Sequence, residues 1–174
     1  MLTSSRDIVY SYETFNADLS KPFAASTEAY ARDLTINTVS LYAAAQSAAA
    51  GFAKLSSGPK SFIFTGNGFA TTIVPEQTGL ATGKAASGYL IELASITLTD
   101  SQWYFADERL ANGRPVMTDL DGPEHGTVFY ALATSGKQEP WNYTFVKGKG
   151  YVKFPDVVDR EYTPIKKLFA EIGK

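Results

Sequence analysis

Five polar residues could carry chemistry in this chain: Lys84, Asn67, Asn37, Tyr12 and Glu13. Lys84 lies in a small-residue segment that reads as a helix, where burial would partly desolvate its ammonium group. Such a cation can stabilise a developing oxyanion or enolate, and the amide of Asn67 would be a second donor. Tyr12 and Glu13, which follow an apolar run, would be the nearest candidate acid and base. The set predicts stabilisation of negative charge on a substrate oxygen.

The same residues also have a purely structural interpretation, which stays open at this point. Asn37 would hold a helix kink, and Asn67 would cap the turn Gly66-Asn67-Gly68. Lys84 would lay its stem along an apolar wall, with its ammonium group in a hydrogen-bond network. His125 follows Gly122-Pro123, and there we expect an exposed side chain.

Two kinds of site are excluded by composition and spacing. The chain has no cysteine and a single histidine, so a thiolate or histidine metal site is not expected. The run GLATGKA at 79–85 has three residues between its glycines and no serine or threonine after the lysine, so it is not a phosphate-binding loop.

Length and charge set the broad class. The 174 residues, 44% of them hydrophobic, predict one domain covering 1–174 with a real core. A formal net charge of -2 gives no basic field, so nucleic acid is not an expected partner. No apolar run reaches the roughly 18 residues of a membrane span, and no signal peptide is visible. We therefore expect a soluble cytoplasmic protein that does not bind membranes.

Strand and helix patterns alternate along the chain and must position these residues. Helical periodicity predicts helices at 28–55, 79–98 and 124–135, and a C-terminal helical extension at 156–174. Apolar β-forming runs predict strands at 7–10, 61–65, 102–106 and 141–145. Asp107, Glu108 and Arg109 are expected to begin a loop. The order predicts an α/β fold with a parallel sheet, and Asn67 at the carboxyl end of a strand, where ligands bind.

The segment 60–98 resembles the catalytic unit of the short-chain dehydrogenase/reductase family. In that family a serine ends the strand, and a tyrosine and a lysine follow on the helix, spaced Tyr-x-x-x-Lys. Here Asn67 stands in the place of the serine, Leu80 in that of the tyrosine, and only Lys84 matches. Asn37, in the run INTV, matches the family's helical asparagine. The segments WYFADERLANGRP, DLDGPEH and PWNYTFVKGKGY are similar to a fungal-type subgroup, so the resemblance covers about 7–154.

The resemblance implies a truncated Rossmann-like three-layer sandwich with a short, mainly parallel sheet. Relative to the family, the glycine-rich turn and the first βα units that bind a nicotinamide cofactor are missing. With Leu80 in the tyrosine's place, no phenol there can pass a proton to a carbonyl oxygen. We therefore expect no cofactor and no hydride transfer.

Three functions remain possible from the sequence. The first is a cofactor-independent isomerase, cyclase or lyase that acts on a hydrophobic small molecule of secondary metabolism. The second is a non-catalytic interaction or ligand-binding subunit, and the third is a fragment of a nicotinamide-dependent reductase. Family members pair two long helices with a neighbouring copy, so the helices at 28–55 and 79–98 predict a homodimer.

Overall fold

The computed structural model describes residues 15–16, 18–155 and 169–170. Four α-helices lie in this part, namely α1 (Thr27–Leu34), α2 (Ser40–Phe52), α3 (Thr78–Thr97) and α4 (Gly122–Thr134). Four strands accompany them, namely β1 (Ser61–Thr65), β2 (Gln102–Glu108), β3 (Asn142–Val146) and β4 (Gly150–Tyr151). The strand predicted at 7–10 lies outside the described residues, as does nearly all of the helix predicted at 156–174.

The four strands form one sheet in the order β1-β2-β3-β4. β1 pairs with β2 in parallel, with Ser61 opposite Gln102, and β2 pairs with β3 in parallel, with Phe105 opposite Asn142. Only the short β4 runs antiparallel, against β3. Parallel neighbours require crossovers, which α3 and α4 provide. The predicted α/β fold with a mainly parallel sheet is confirmed.

Helices cover both faces of this sheet, which gives three layers. Side chains alternate along β2, so Trp103 and Phe105 face α2 and α3, whereas Tyr104 faces α4. Phe105 packs there with Leu41 of α2, and Tyr104 packs with Leu132 of α4. β2 is therefore the buried centre of the described sheet. No helix among residues 18–155 is long and apolar enough to cross a membrane.

α1 and α2 are one continuous helix that is widened in the middle by a π-helical segment, Thr35–Val39. The Ser26 side chain caps its start by accepting from the amide of Ala29. A π segment inserts an extra residue into a turn, which distorts the helix there. Asn37 lies within this irregular segment, and the kink expected there stays a prediction.

The prediction that a loop begins at Asp107 is wrong. β2 continues to Glu108, where Asp107 pairs with Thr144 and Glu108 with Phe145 of β3. Both carboxylates are 3% exposed. A charged residue is rarely buried without a partner. Here both acids can be buried because they have partners, some of them distant in the sequence.

Candidate functional site

A cavity of about 150 Å³ opens at the carboxyl ends of β1 and β2. Its volume is of the order that holds one benzene-sized molecule. Apolar side chains form much of its wall, among them Phe69, Leu80, Val116, Met117, Leu120 and Phe169. Seven polar or charged residues also line it, namely Thr65, Asn67, Gln77, Lys84, Asp107, Glu108 and Thr118. An apolar cleft with a few convergent polar groups is the usual form of a small-molecule site.

The turn after β1 holds Asn67 at the edge of this cavity. The amide of Gly66 donates to the carbonyl of Ala106 at 2.6 Å, which keeps the turn against β2. Asn67 Oδ1 accepts from the amide of Phe69 at 2.8 Å and so caps a short 3₁₀ turn, Gly68–Ala70. The predicted capping role of Asn67 is confirmed. Its amide nitrogen makes no hydrogen bond with the described residues and can still donate.

Lys84 reaches the same cavity from α3 and is 8% exposed. Its Nζ donates to the carbonyl of Thr65 at 3.2 Å and lies 4.4 Å from the centroid of the Phe64 ring. Burial lowers the pKa of Lys84 to about 8, against the opposing pull of the Asp107 carboxylate. The ammonium group is partly desolvated, as expected, and it can release its proton near neutral pH.

Asp107 lies at the end of β2 in an ion pair with Arg109. Arg109 is fixed from its other side, because it donates to the carbonyl of Gly113 at 2.8 Å and to Thr71 Oγ1 at 3.3 Å. Burial raises the pKa of Asp107, and Arg109 and Lys84 oppose that shift. The cavity therefore contains a carboxyl group and an amine whose pKa values are moved toward each other.

Glu108 and His125 form a second buried pair beside the cavity. His125 Nδ1 lies 3.2 Å from Glu108 Oε2 and 2.9 Å from the carbonyl of Asp121. Two acceptors at one nitrogen place the ring proton on Nδ1. The imidazole packs edge-on against Phe129 and Phe145, with its side chain 15% exposed. The expectation that His125 is exposed is wrong, because this carboxylate and these rings enclose it.

The structure brings only part of the predicted site together. Asn67 and Lys84 line one cavity. Asn37 does not line it and lies against α3 instead, where its backbone carbonyl accepts from Ser87 Oγ at 2.5 Å. Tyr12 and Glu13 lie outside the described residues, so their proposed acid and base roles stay predictions.

The lining residues that were missed from the sequence include Gln77, Asp107 and Glu108. The sequence could have indicated the two acids, because they follow the aromatic run of a predicted parallel strand. Ligands bind at the carboxyl ends of such strands. Gln77 offered no comparable signal, since it occurs in a polar run before a helix.

The two glycines in the turn after β1 leave no room for the pyrophosphate of a nicotinamide cofactor. Such a cofactor needs glycines that let its pyrophosphate approach the backbone. At Gly66 the neighbouring space is filled by Asp107 and Phe105, and at Gly68 by Pro115. These glycines serve packing within the protein. The described residues also contain no group of three or more histidine or acidic side chains placed to hold a metal ion.

Comparison with known proteins gives one informative relative. No family model matches the chain. The chain is 35% identical over 141 residues to the short chain dehydrogenase/reductase dmxR12 of Cryptosporiopsis sp. (strain 8999). The match covers 79% of this chain and 57% of that relative. The chain thus spans little more than half the length of the protein it matches.

Replacing Lys84 by methionine should change stability in a pH-dependent way. Below pH 8 Lys84 is protonated in the folded chain, so folding must bury its ammonium group. Above pH 8 the folded lysine is neutral, whereas Lys84 of the unfolded chain, with a pKa of 10.5, stays protonated. The unfolded state then binds more protons, so the stability of the unmodified chain rises with pH. From about pH 6.5 to pH 9.5 the free energy of unfolding of the unmodified chain should rise by about 2 kcal/mol relative to that of Lys84→Met. Urea unfolding at both pH values measures this gain, and a constant difference would contradict the lowered pKa.

Proposed function

This chain is related to the short-chain dehydrogenase/reductase family, and we propose that it is a cofactor-independent, non-redox enzyme of the isomerase, cyclase or lyase type. Its substrate is a hydrophobic small molecule with a carbonyl group, of the polyketide or terpenoid kind found in secondary metabolism. The observation that carries this proposal is that the buried Lys84 lines an apolar cavity together with Asn67, whose amide nitrogen has no hydrogen bond among the described residues.

The residues of the cavity support a proton transfer next to a carbonyl. Asp107 takes a proton from the carbon beside the carbonyl, and the C–H electron pair forms the double bond of an enolate. Lys84 and Asn67 donate hydrogen bonds to the oxygen, which then carries the negative charge. Asp107 returns the proton to another carbon, so an isomerisation is completed without an oxidant or a reductant. The raised pKa of Asp107 favours both halves of this step.

A non-catalytic interaction subunit is the second candidate, favoured by an exposed apolar stripe on the helices. Tyr89, Leu93 and Ile96 follow helical spacing along α3 and are 66%, 46% and 66% exposed. Val39 and Tyr42, on the helix formed by α1 and α2, are 56% and 52% exposed. Large apolar groups left in water mark interaction surfaces. We propose that this stripe pairs two copies of the chain, which is compatible with either function.

A fragment of a nicotinamide-dependent reductase is the third candidate. It is motivated by the printed name of the relative and by the 57% of that relative which the match covers. The packing around Gly66 and Gly68 disfavours it within the described residues.

The proposed activity can be tested without knowing the natural substrate. β-Tetralone is a hydrophobic ketone whose protons beside the carbonyl exchange slowly with D₂O, and proton NMR follows their loss. We expect the protein to accelerate this exchange, and Lys84→Met to lower the accelerated rate by about 100-fold or more because one oxyanion donor is lost. Asp107→Asn should lower it as well, because the proton acceptor is removed.

Lys60→Met is the matched control for this experiment. Lys60 precedes β1, at the opposite end of that strand from the cavity, and pairs with Asp100 at 3.3 Å. The control should exchange β-tetralone at the unmodified rate. An unmodified protein no faster than buffer, or a Lys84→Met variant as fast as the control, would refute the proposed activity.

The proposed homodimer should dissociate when charge is placed on the stripe. Tyr89→Glu puts a carboxylate on the stripe, so we expect the mass from sedimentation equilibrium at micromolar concentration to change from that of two chains to that of one. Tyr130→Glu, on α4 at the other face of the sheet and 73% exposed, should leave the mass of two chains unchanged. A single-chain mass for the unmodified protein would exclude the dimer.

A further inference from the structure

Gln77 is a buried polar residue at the cavity that has no part in the mechanism above. We infer that Gln77 is a specificity-determining residue, whose side-chain amide selects ligands that bear a hydroxyl group. Gln77 is 2% exposed and lines the cavity. Its Oε1 has no hydrogen-bond partner among the described residues. The inference rests on the proposed use of this cavity for a hydrophobic ligand.

A buried amide oxygen without a partner is unfavourable for the ligand-free protein. Folding removes the water that solvated it, and no hydrogen bond within the described residues replaces that water. Native proteins leave few such groups, and those that remain call for an explanation. Gln77 lines a ligand-sized cavity and its Oε1 is an acceptor, so a donor group on a bound ligand that reaches Oε1 would satisfy it.

The position of Gln77 specifies more of the ligand. Gln77 directly precedes α3, and Leu80 and Lys84 follow it on the wall that this helix contributes to the cavity. Leu80 and Lys84 come three and seven residues after Gln77, which is about one and two helical turns. The three residues therefore lie in line over roughly 10 Å. The wall therefore offers an acceptor, an apolar surface and a cationic donor in that order.

A ligand that matches this order has a hydroxyl group at one end, an apolar ring across Leu80 and a carbonyl oxygen near Lys84. The cavity volume of about 150 Å³ is of the order needed for a single ring. The chemical class that fits is a hydroxylated aromatic ketone. Leu80 favours the apolar ring, because a polar group against this side chain would lose its hydration without a partner.

The test uses two probes of nearly the same size, para-hydroxyacetophenone and para-methylacetophenone. Dissociation constants from NMR titration are compared for the unmodified protein and for Gln77→Leu. We expect the unmodified protein to bind the hydroxyl probe about tenfold more tightly, as one additional buried hydrogen bond predicts. In Gln77→Leu the methyl probe should bind at least as well as the hydroxyl probe, because the acceptor is gone.

A second measurement needs no ligand. Gln77→Leu removes the unpartnered Oε1 from the free protein, so its melting temperature should rise by about 2 to 8 °C. A lower melting temperature would show that the amide is already satisfied in the free protein, and would overturn the inference. A hydroxyl preference that survives in Gln77→Leu, or the failure of both probes to bind at millimolar concentration, would also overturn it.

These outcomes are distinct from those of the proposed function. If the probes behave as expected while Lys84→Met leaves the exchange of β-tetralone unchanged, Gln77 selects the ligand and the proposed chemistry is wrong. If the exchange depends on Lys84 but Gln77→Leu keeps the hydroxyl preference, the chemistry stands and the role of Gln77 is wrong.

Discussion

The burial of Lys84 opposite a carboxylate is the constraint on which this site depends. Burying the ammonium group of a lysine that is 8% exposed is costly unless nearby groups compensate it. Thr65 accepts its hydrogen bond, the Phe64 ring lies beneath it, and Asp107 supplies an opposite charge. Asp107 is held in turn by Arg109. The strand ends, the turn after β1 and the start of α3 must therefore keep their positions together.

Much of the fold could be predicted from the sequence because its signals are local. The apolar run at Ser61–Thr65 became β1 with the predicted bounds, and α3 differs from its prediction by one residue at each end. The extension of β2 could not be predicted in the same way. Arg109 donates to Thr71, 38 residues away, and Glu108 accepts from Asp121, 13 residues away. Contacts of this kind decide whether a charged run is buried, and no local pattern contains them.

The candidate site was predicted in part for the same reason. Lys84 and Asn67 have a recognisable order along the chain, and the cavity brings them together. Gln77 and Asp107 became candidates only when the fold placed them at that cavity. Gln77 is a buried acceptor without a partner among the described residues, and Asp107 is a carboxyl group with a raised pKa. The spacing of residues along the sequence can identify those inherited from a family. Burial and polar groups without hydrogen-bond partners indicate what the present site can bind.

The central claim is that this cavity acts without a nicotinamide cofactor. Titration calorimetry of the purified chain with reduced and oxidised nicotinamide dinucleotides, beside Lys84→Met, tests it most directly. We expect no binding heat at micromolar to millimolar cofactor in either protein, because the described glycines after β1 are closed by Asp107, Phe105 and Pro115. Binding in the micromolar range that is lost in Lys84→Met would contradict the account and assign the chain to nicotinamide-dependent chemistry.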